Sequence, residues 1–390
     1  MVFRFLSSGE SHGISLNAII EGVPAGFKID NDSIDNELAR RQVGYGRGGR
    51  MSIEKDKASI LSGVRFGIST GSPICLEIKN KDFDNWKVSM STLEVEQTEE
   101  NINLINEKTI TKIRPGHADF AGAIKYNHSD IRNVLERSSA RETATRVAVG
   151  AVAQLILKEF GVECFSYVTQ IGDVKIDENK PVDRHFIESS DLRCPDEAAA
   201  EIMRAEIDKA KEEGDTLGGS IRIIIKNLPV GLGSFVHWDR KLDGLLAQAL
   251  ISIQAVKSVE FGLGKGCASQ FGSETHDEIF YNEKGFYRKT NNTGGIEGGM
   301  TNGEDIVMNI AMKAIPTMKK PLQSVDIISK ESYQAHFERS DTCAVPACGV
   351  VAESMAAIVI LNSFLEKFGS DNYNEIKNNF ENYKKYLSER

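Results

Sequence analysis

Cysteine is sparse in this chain of 390 residues: there are six, Cys75, Cys164, Cys194, Cys267, Cys343 and Cys348, and no C-x-x-C pair among them. That scatter excludes the usual zinc-ligand and disulfide-exchange spacings, so the expectation is a reducing cytoplasm and no metal. Positive charge is in deficit, with 47 Lys and Arg against 56 Asp and Glu and a formal net charge of −9. Nucleic-acid binding, which leaves a basic footprint, is set aside on that ground. No run of about 18 apolar residues stands out, and the opening MVFRFLSSGESHG lacks the apolar core of a signal peptide, which argues for a soluble protein with no membrane partner. No Pro-, Gly- or Ser-rich linker interrupts the chain. With 41% of its residues hydrophobic it can bury a large core, and the reading is one large domain over 1–367 followed by a polar tail over 368–390.

Apolar periodicity and turn signals predict strands at 14–21, 58–64, 72–79 and 220–226. They predict helices at 31–42, capped by Asp32 or Ser33, within 92–111, from Ser139 to Lys158, at 195–214, near 239–253 and, mostly buried, at 350–367. GSPICLEIKN (71–80) echoes GGSIRIIIKN (218–227). An internal duplication is one reading, and the general likeness of strands entering turns is the other.

Four stretches carry candidate chemistry. GESHG at 9–13 fits the G-x-S-x-G nucleophile elbow with Ser11 at its centre. Only eight residues precede Gly9, too few for the strands and oxyanion loop that an α/β-hydrolase builds first. ARRQVGYGRGGRMS sets Arg40, Arg41, Arg47 and Arg50 among Gly44, Gly46, Gly48 and Gly49 with no acid between them. Glycines admit close backbone approach and guanidinium forks suit carboxylate and phosphate, so an anionic small molecule is the implied partner; a solvated basic loop is the alternative. The G-x-G-x-x-G inside it lacks the preceding strand and following helix of a dinucleotide site.

In LERSSARET, Ser139 and Glu142 spell a capping box, with Arg137, Ser138 and Arg141 around the positive end of the coming helix. That is a phosphate site or an ordinary cap. RPGHADFAG turns at Pro115-Gly116 to deliver His117 and Asp119, a candidate general acid with a tuning carboxylate or a structural histidine. GGIEGG (294–299) and FERSDTCAVPACG (337–349), with Arg339 and Asp341, read equally as ligand loops or as a hairpin plus a surface ion pair.

Taken in order, GESHG, RRQVGYGRGGRM, RPGHADFAGAIKY, ERSSARETATRVAVGAVA, GGIEGG and RSDTC make the sequence resemble the chorismate synthase family from Phe5 to about Leu361. The resemblance implies an α+β fold in which helices lie between antiparallel sheets, a β-α-β sandwich, and a homotetramer. It implies a carbon–oxygen lyase that removes phosphate in an anti-1,4 sense from 5-enolpyruvylshikimate 3-phosphate to give chorismate, with reduced FMN and no net redox change. The FMN is reduced either with NADPH by the protein itself or by an external flavin reductase. Carried over by motif, His12, His117 and Asp341 are catalytic: His12 protonates the leaving phosphate, His117 protonates or hydrogen-bonds the flavin, and Asp341 assists removal of the ring proton. Arg41, Arg47, Arg50, Arg114, Arg141 and Arg339 bind substrate with His12. Arg137, Ser138, Ser139, Gln254, Ala255, Gly298, Ile315, Pro316, Thr317, Met318, Lys319 and Arg339 hold FMN. The chain departs from the common family pattern at Gln254, at Ile315 and at Ser340 and Thr342, which keeps an inactive flavin- or phosphate-binding module as an alternative.

Overall fold

In the computed structural model of the chain, residues 3–48, 55–283, 285–335 and 340–390 are described. Strands with one apolar face build two antiparallel sheets. The first holds β1 (Arg4–Ser8), β2 (Ser15–Glu21), β3 (Ala58–Ile60) and β4 (Ile74–Lys79) in the order β1-β2-β4-β3. The second holds β5 (Glu163–Ile171), β6 (Val174–Lys175), β7 (Gly219–Lys226), β8 (Val256–Phe261) and β9 (Ile306–Met312) in the order β8-β9-β7-β5-β6. In β9 Ile306, Met308, Ile310 and Met312 are buried and the residues between them half-buried, the alternation of a sheet covered on one face. Short hairpins decorate the edges.

The helices that matter for the site are α1 (Asn31–Gln42), α2 (Asp119–Tyr126), α3 (Arg132–Ser138), α4 (Thr143–Lys158), α5 (Glu197–Glu212), α6 (Leu242–Ile251), α7 (Val345–Phe368) and α8 (Tyr373–Ser388). α4 packs on β2 and β4, α7 packs on β5 and β7, and the two helices pack on each other, with α1 against α4 and α6 against α7. Their crossing is close because Gly150 has no side chain: a Cβ there would lie 2.3 Å from Ser354 Cβ. One apolar core joins both sheets through these helices.

Several local expectations are revised. The N-cap of α1 is Asp30, not Asp32 or Ser33; Asp30 is the last extended residue, and its carboxylate accepts from Ser33 N at 2.7 Å. The Ser139–Glu142 capping box is not formed. A 3-10 turn at Ala140–Glu142 precedes α4, so Ser139 Oγ takes the Arg141 N–H. The Glu142 carboxylate, offered a guanidinium and an amide, turns to Arg146 and Gln254. Against the expectation of no long apolar run, α7 is long and apolar enough by length and composition to cross a membrane, and as expected of 350–367 it is mostly buried inside the fold. The segment read as a polar tail contains α8, which packs on α7 through Ile376 and Phe380.

Candidate active site

Gly9 leaves β1 at φ +105°, and a Cβ there would lie 2.3 Å from the Ser15 carbonyl oxygen, so GESHG can fold back on β2 only with glycine at this position. The turn docks on α3. Ser11 N donates to the Glu136 carbonyl at 3.1 Å, His12 N to Glu136 Oε2 at 2.7 Å, and His12 Nδ1 to Oε1 at 2.8 Å. A carboxylate only accepts, so Nδ1 carries a hydrogen; Nε2 has no hydrogen-bond partner among the described residues. Burial pushes the Glu136 carboxyl up, but hydrogen bonds and charge from His12, with help from Arg132, outweigh it and hold the group below the usual carboxylate range. The His12 ring stacks on Trp86 at 4.0 Å between centroids. Ser11 is buried and its hydroxyl accepts from Ser139 Oγ. The neighbouring imidazole is turned to Glu136, so no Ser–His nucleophile pair is formed.

Arg41, in the last turn of α1, and Arg141, in the turn before α4, converge on Asp56. Arg41 Nη2 lies 2.7 Å from Oδ2, and Arg141 Nη1 lies 2.7 Å from both carboxylate oxygens. Asn80 accepts from Arg141 Nε and donates to the carbonyls of Glu10 and Gly13, tying this cluster to the GESHG turn. Burial draws the Arg41 guanidinium down to about 10; Asp56 opposes the shift, and Arg141 and Arg47 add to it. Two buried guanidiniums thus meet on Asp56, and the buried Arg41 Nε has no partner among the described residues. Guanidinium forks gathered in one buried place suit an anion. Arg47 pairs with Asp341 at 2.9 Å, whose other oxygen accepts from Gly48 N at 2.6 Å. Arg40 is drawn instead into ion pairs with Glu37, Glu188 and the buried Glu353, and is structural. Arg50 and Arg339 lie outside the described residues.

Gly116 turns at φ +75°, as the Pro-Gly step suggests, and sets His117 beside Asp119 with Nδ1 2.5 Å from Oδ1. Arg114 grips the same carboxylate from Nε and Nη2, at 2.8 and 3.0 Å, and reaches Thr317 Oγ1 through Nη1 at 3.2 Å. Burial raises the Asp119 carboxyl, yet the hydrogen bonds from His117 and Arg114 prevail and hold it well below its ordinary value. The fork of Arg114, expected on substrate, serves Asp119. Both histidines therefore sit in the same device: an arginine holds a carboxylate that holds Nδ1.

The residues expected around FMN fall beside two clefts. Arg137 and Gln254 line one with Ser7, Glu142, Arg146 and Ser252. Thr317, Met318 and Lys319 line the other with Arg47, Ser340 and Asp341. Arg137 bonds Ser7 and the Gly9 carbonyl, and Ser138 Oγ is turned back to the Val134 carbonyl. Gln254 donates to Glu142 at 2.6 Å and keeps a buried Oε1 without a partner among the described residues. Ala255 takes φ +68° and its carbonyl accepts from Lys313 N at 2.9 Å. A Cβ on Gly298 would meet nothing, and the Ile315 carbonyl accepts from Thr216 Oγ1 at 2.7 Å. Pro316 packs near Gly116.

Four residues of the site escape sequence reasoning: Asp56, Asn80, Trp86 and Glu136. Glu136 had a signal, an acid directly before Arg137 in a basic run, and Trp86 is one of two tryptophans in the chain; Asp56 and Asn80 carry none.

Comparison with known proteins agrees over the full length. The family model described as chorismate synthase matches residues 3–365. The chain is 53% identical to the chorismate synthase of Geobacter sulfurreducens, with 99% of each chain covered. It is 54% identical to that of a Sulfurihydrogenibium species, with 98% of each covered. A solved structure titled "Crystal Structure of Chorismate Synthase" aligns with 100% of this chain and 99% of its own at a TM-score of 0.80 and 42% identity.

Proposed function

The chain belongs to the chorismate synthase family and forms chorismate by eliminating phosphate from 5-enolpyruvylshikimate 3-phosphate, and on that premise we propose how its own residues do so. It is a carbon–oxygen lyase acting on a phosphate, in the biosynthesis of aromatic amino acids. The observation that carries the residue assignment is the buried meeting of Arg41 and Arg141 at Asp56, with Arg41 Nε unpartnered among the described residues. These guanidiniums, with Arg47 beside them, hold the anionic groups of the substrate, and Arg50 and Arg339 complete the set. His12, with Nε2 open, delivers a proton to the departing phosphate oxygen; general acids of this kind contribute about 10²–10⁴-fold. Arg114, which binds substrate in this assignment, also braces Asp119 and His117, and Asp341 serves removal of the ring proton.

Reduced FMN, when bound, supplies the transient electron that lets phosphate leave with no net redox change. The residues present fit such a group: the unpartnered Gln254 Oε1 offers an acceptor, Gly298 leaves space, and Thr317 to Lys319 line a cleft with Arg47. Arg137, Ser139, Ala255, Ile315 and Pro316 are their neighbours in this assignment, with His117 hydrogen-bonding the ring. The test is anaerobic incubation with the enolpyruvyl substrate and chemically reduced FMN: phosphate and chorismate should appear together, and phosphate release equal to that of a flavin-free control overturns the FMN assignment. The reductant is NADPH used directly or an external flavin reductase, and oxidation of NADPH by protein plus FMN alone separates the two.

The remaining features extend the proposal. The contacts of α4 with the first sheet and of α7 with the second support the sandwich reading. The placement of the echoing segments on inner strands, β4 and β7, supports a duplication; an experimental structure without these helices between the sheets would overturn both. Leu6, Ile19 and Cys75 lie side by side across the first sheet, and Leu6 and Ile19 are exposed, which supports a homotetramer. Sedimentation as a monomer at micromolar concentration would count against it. All six cysteines are free, in keeping with a reducing cytoplasm, which cell fractionation checks.

A further inference from the structure

We propose that Glu136 and Trp86 are positioning residues that lock His12 as an Nδ1–H imidazole and so make Nε2 the atom that carries the proton, an inference that rests on His12 acting as the acid. Three constraints converge on the ring. Glu136 grips residue 12 twice, through its backbone N–H at 2.7 Å and Nδ1 at 2.8 Å, so rotation of the side chain about its own axis breaks a charge-assisted bond without freeing the backbone. Trp86 covers one face at 4.0 Å with planes 24° apart. Trp86 is itself fixed, since its indole N–H donates to Asp82 at 3.1 Å and Lys108 and Arg132 stand 4.7 and 4.9 Å from its ring.

The charge arrangement gives the direction of proton flow. Glu136 is buried and anionic, so it stabilises the imidazolium before transfer. Arg132, 3.2 Å from the same Oε1, keeps that carboxylate from taking the Nδ1 proton. On transfer the Nε2–H bond breaks, the proton joins the phosphate oxygen, and a neutral ring remains that still donates from Nδ1 to Glu136. Solvent returns the proton to Nε2. An imidazole free to flip would present Nδ1 half the time and lose the carboxylate with it.

The experiment compares Glu136→Gln, Trp86→Phe and Trp86→Leu with His12→Gln, all assayed anaerobically with reduced FMN. The groups that face His12 and Trp86, namely Glu136, Arg132, Lys108 and Asp82, are otherwise untouched. Glu136→Gln replaces the anion by an amide of the same shape, and should lower kcat by roughly 10²-fold or more while KM stays within about threefold. Trp86→Phe keeps the stack and most of the rate, whereas Trp86→Leu should cost about tenfold in kcat. In the His12→Gln background, Glu136→Gln should add almost nothing, since the two act as one unit. Independent, multiplying losses in the double variant, or an effect of Glu136→Gln that falls on KM and leaves kcat unchanged, overturn the inference. Full activity of His12→Gln would instead overturn the assignment of the acid. Thermal melting and FMN titration of each variant exclude loss of fold, and if Glu136→Gln does not fold, the contrast of Trp86→Phe with Trp86→Leu decides alone: equal kcat for the two overturns the inference.

Discussion

Asp56 accepts from both Arg41 and Arg141, and burial, which raises its carboxyl, is outweighed by those two cations, so the group is held below its usual range. Replacing it with alanine would take a shared carboxylate from two buried guanidiniums, and breaking a buried pair costs about 3–5 kcal/mol. The expected outcome for Asp56→Ala is a clearly lowered Tm that inorganic phosphate restores in part, by a larger increment than it gives the parent protein. Calorimetry with and without phosphate measures both numbers; equal increments would mean the arginines do not face an anion site. Arg41 was legible from its clustering with glycine, and Arg141 from its place at the start of a helix. Their carboxylate was not, because Asp56 sits in a polar stretch that resembles any surface loop.

At the level of elements, the crossing of α4 and α7 carries the core. Gly150 faces Ser354 with no room for a methyl group, so Gly150→Ala must push two packed helices apart. Overpacking of this sort costs about 1–3 kcal/mol, more than the helix propensity that alanine adds, and denaturant titration should show a lower midpoint with an unchanged slope. No change in midpoint would mean that the helices separate freely. α4 itself was readable because nearly every position is apolar or small. α8 was read as a tail since Asn, Lys and Glu dominate it, although Tyr373, Ile376, Phe380 and Tyr383 fall at helical spacing. What that stripe packs on, Phe160, Phe364 and Phe368, lies in other segments of the chain.

For the molecule as a whole, the buried ion pairs set the response to acid. Glu188, paired with Arg193 and Arg40, falls from 4.5 to about 2 as those hydrogen bonds and charges overcome its burial, and Asp56, Asp119 and Glu136 are lowered too. A carboxyl whose folded value is depressed contributes stability that is whole above its unfolded value and is lost as pH falls through the folded one. Stability should therefore hold down to about pH 4.5 and decline steadily toward pH 2. Glu37, raised by burial against the pull of Arg40, runs the other way, and its contribution is complete once pH has fallen to its unfolded value of 4.5, before the decline begins. Unfolding free energies measured across this range test the point; a flat profile would show that these pairs persist in the unfolded chain.

Four of the nine strands in the two sheets, the long helices α1, α4, α5 and α7, the glycine positions that let GESHG and Pro115-Gly116 turn, and the order of motifs that marks the family are legible in the sequence, because each is set by residues adjacent in the chain. Only the tertiary structure decided which carboxylate serves which cation or imidazole. His12 meets Glu136 across 124 positions and Gly48 meets Asp341 across 293, while Arg40 is held by Glu188 and Glu353 and Arg114 by Asp119. Coulomb energy and hydrogen bonding depend on distance in space and on burial, neither of which spacing along the chain encodes.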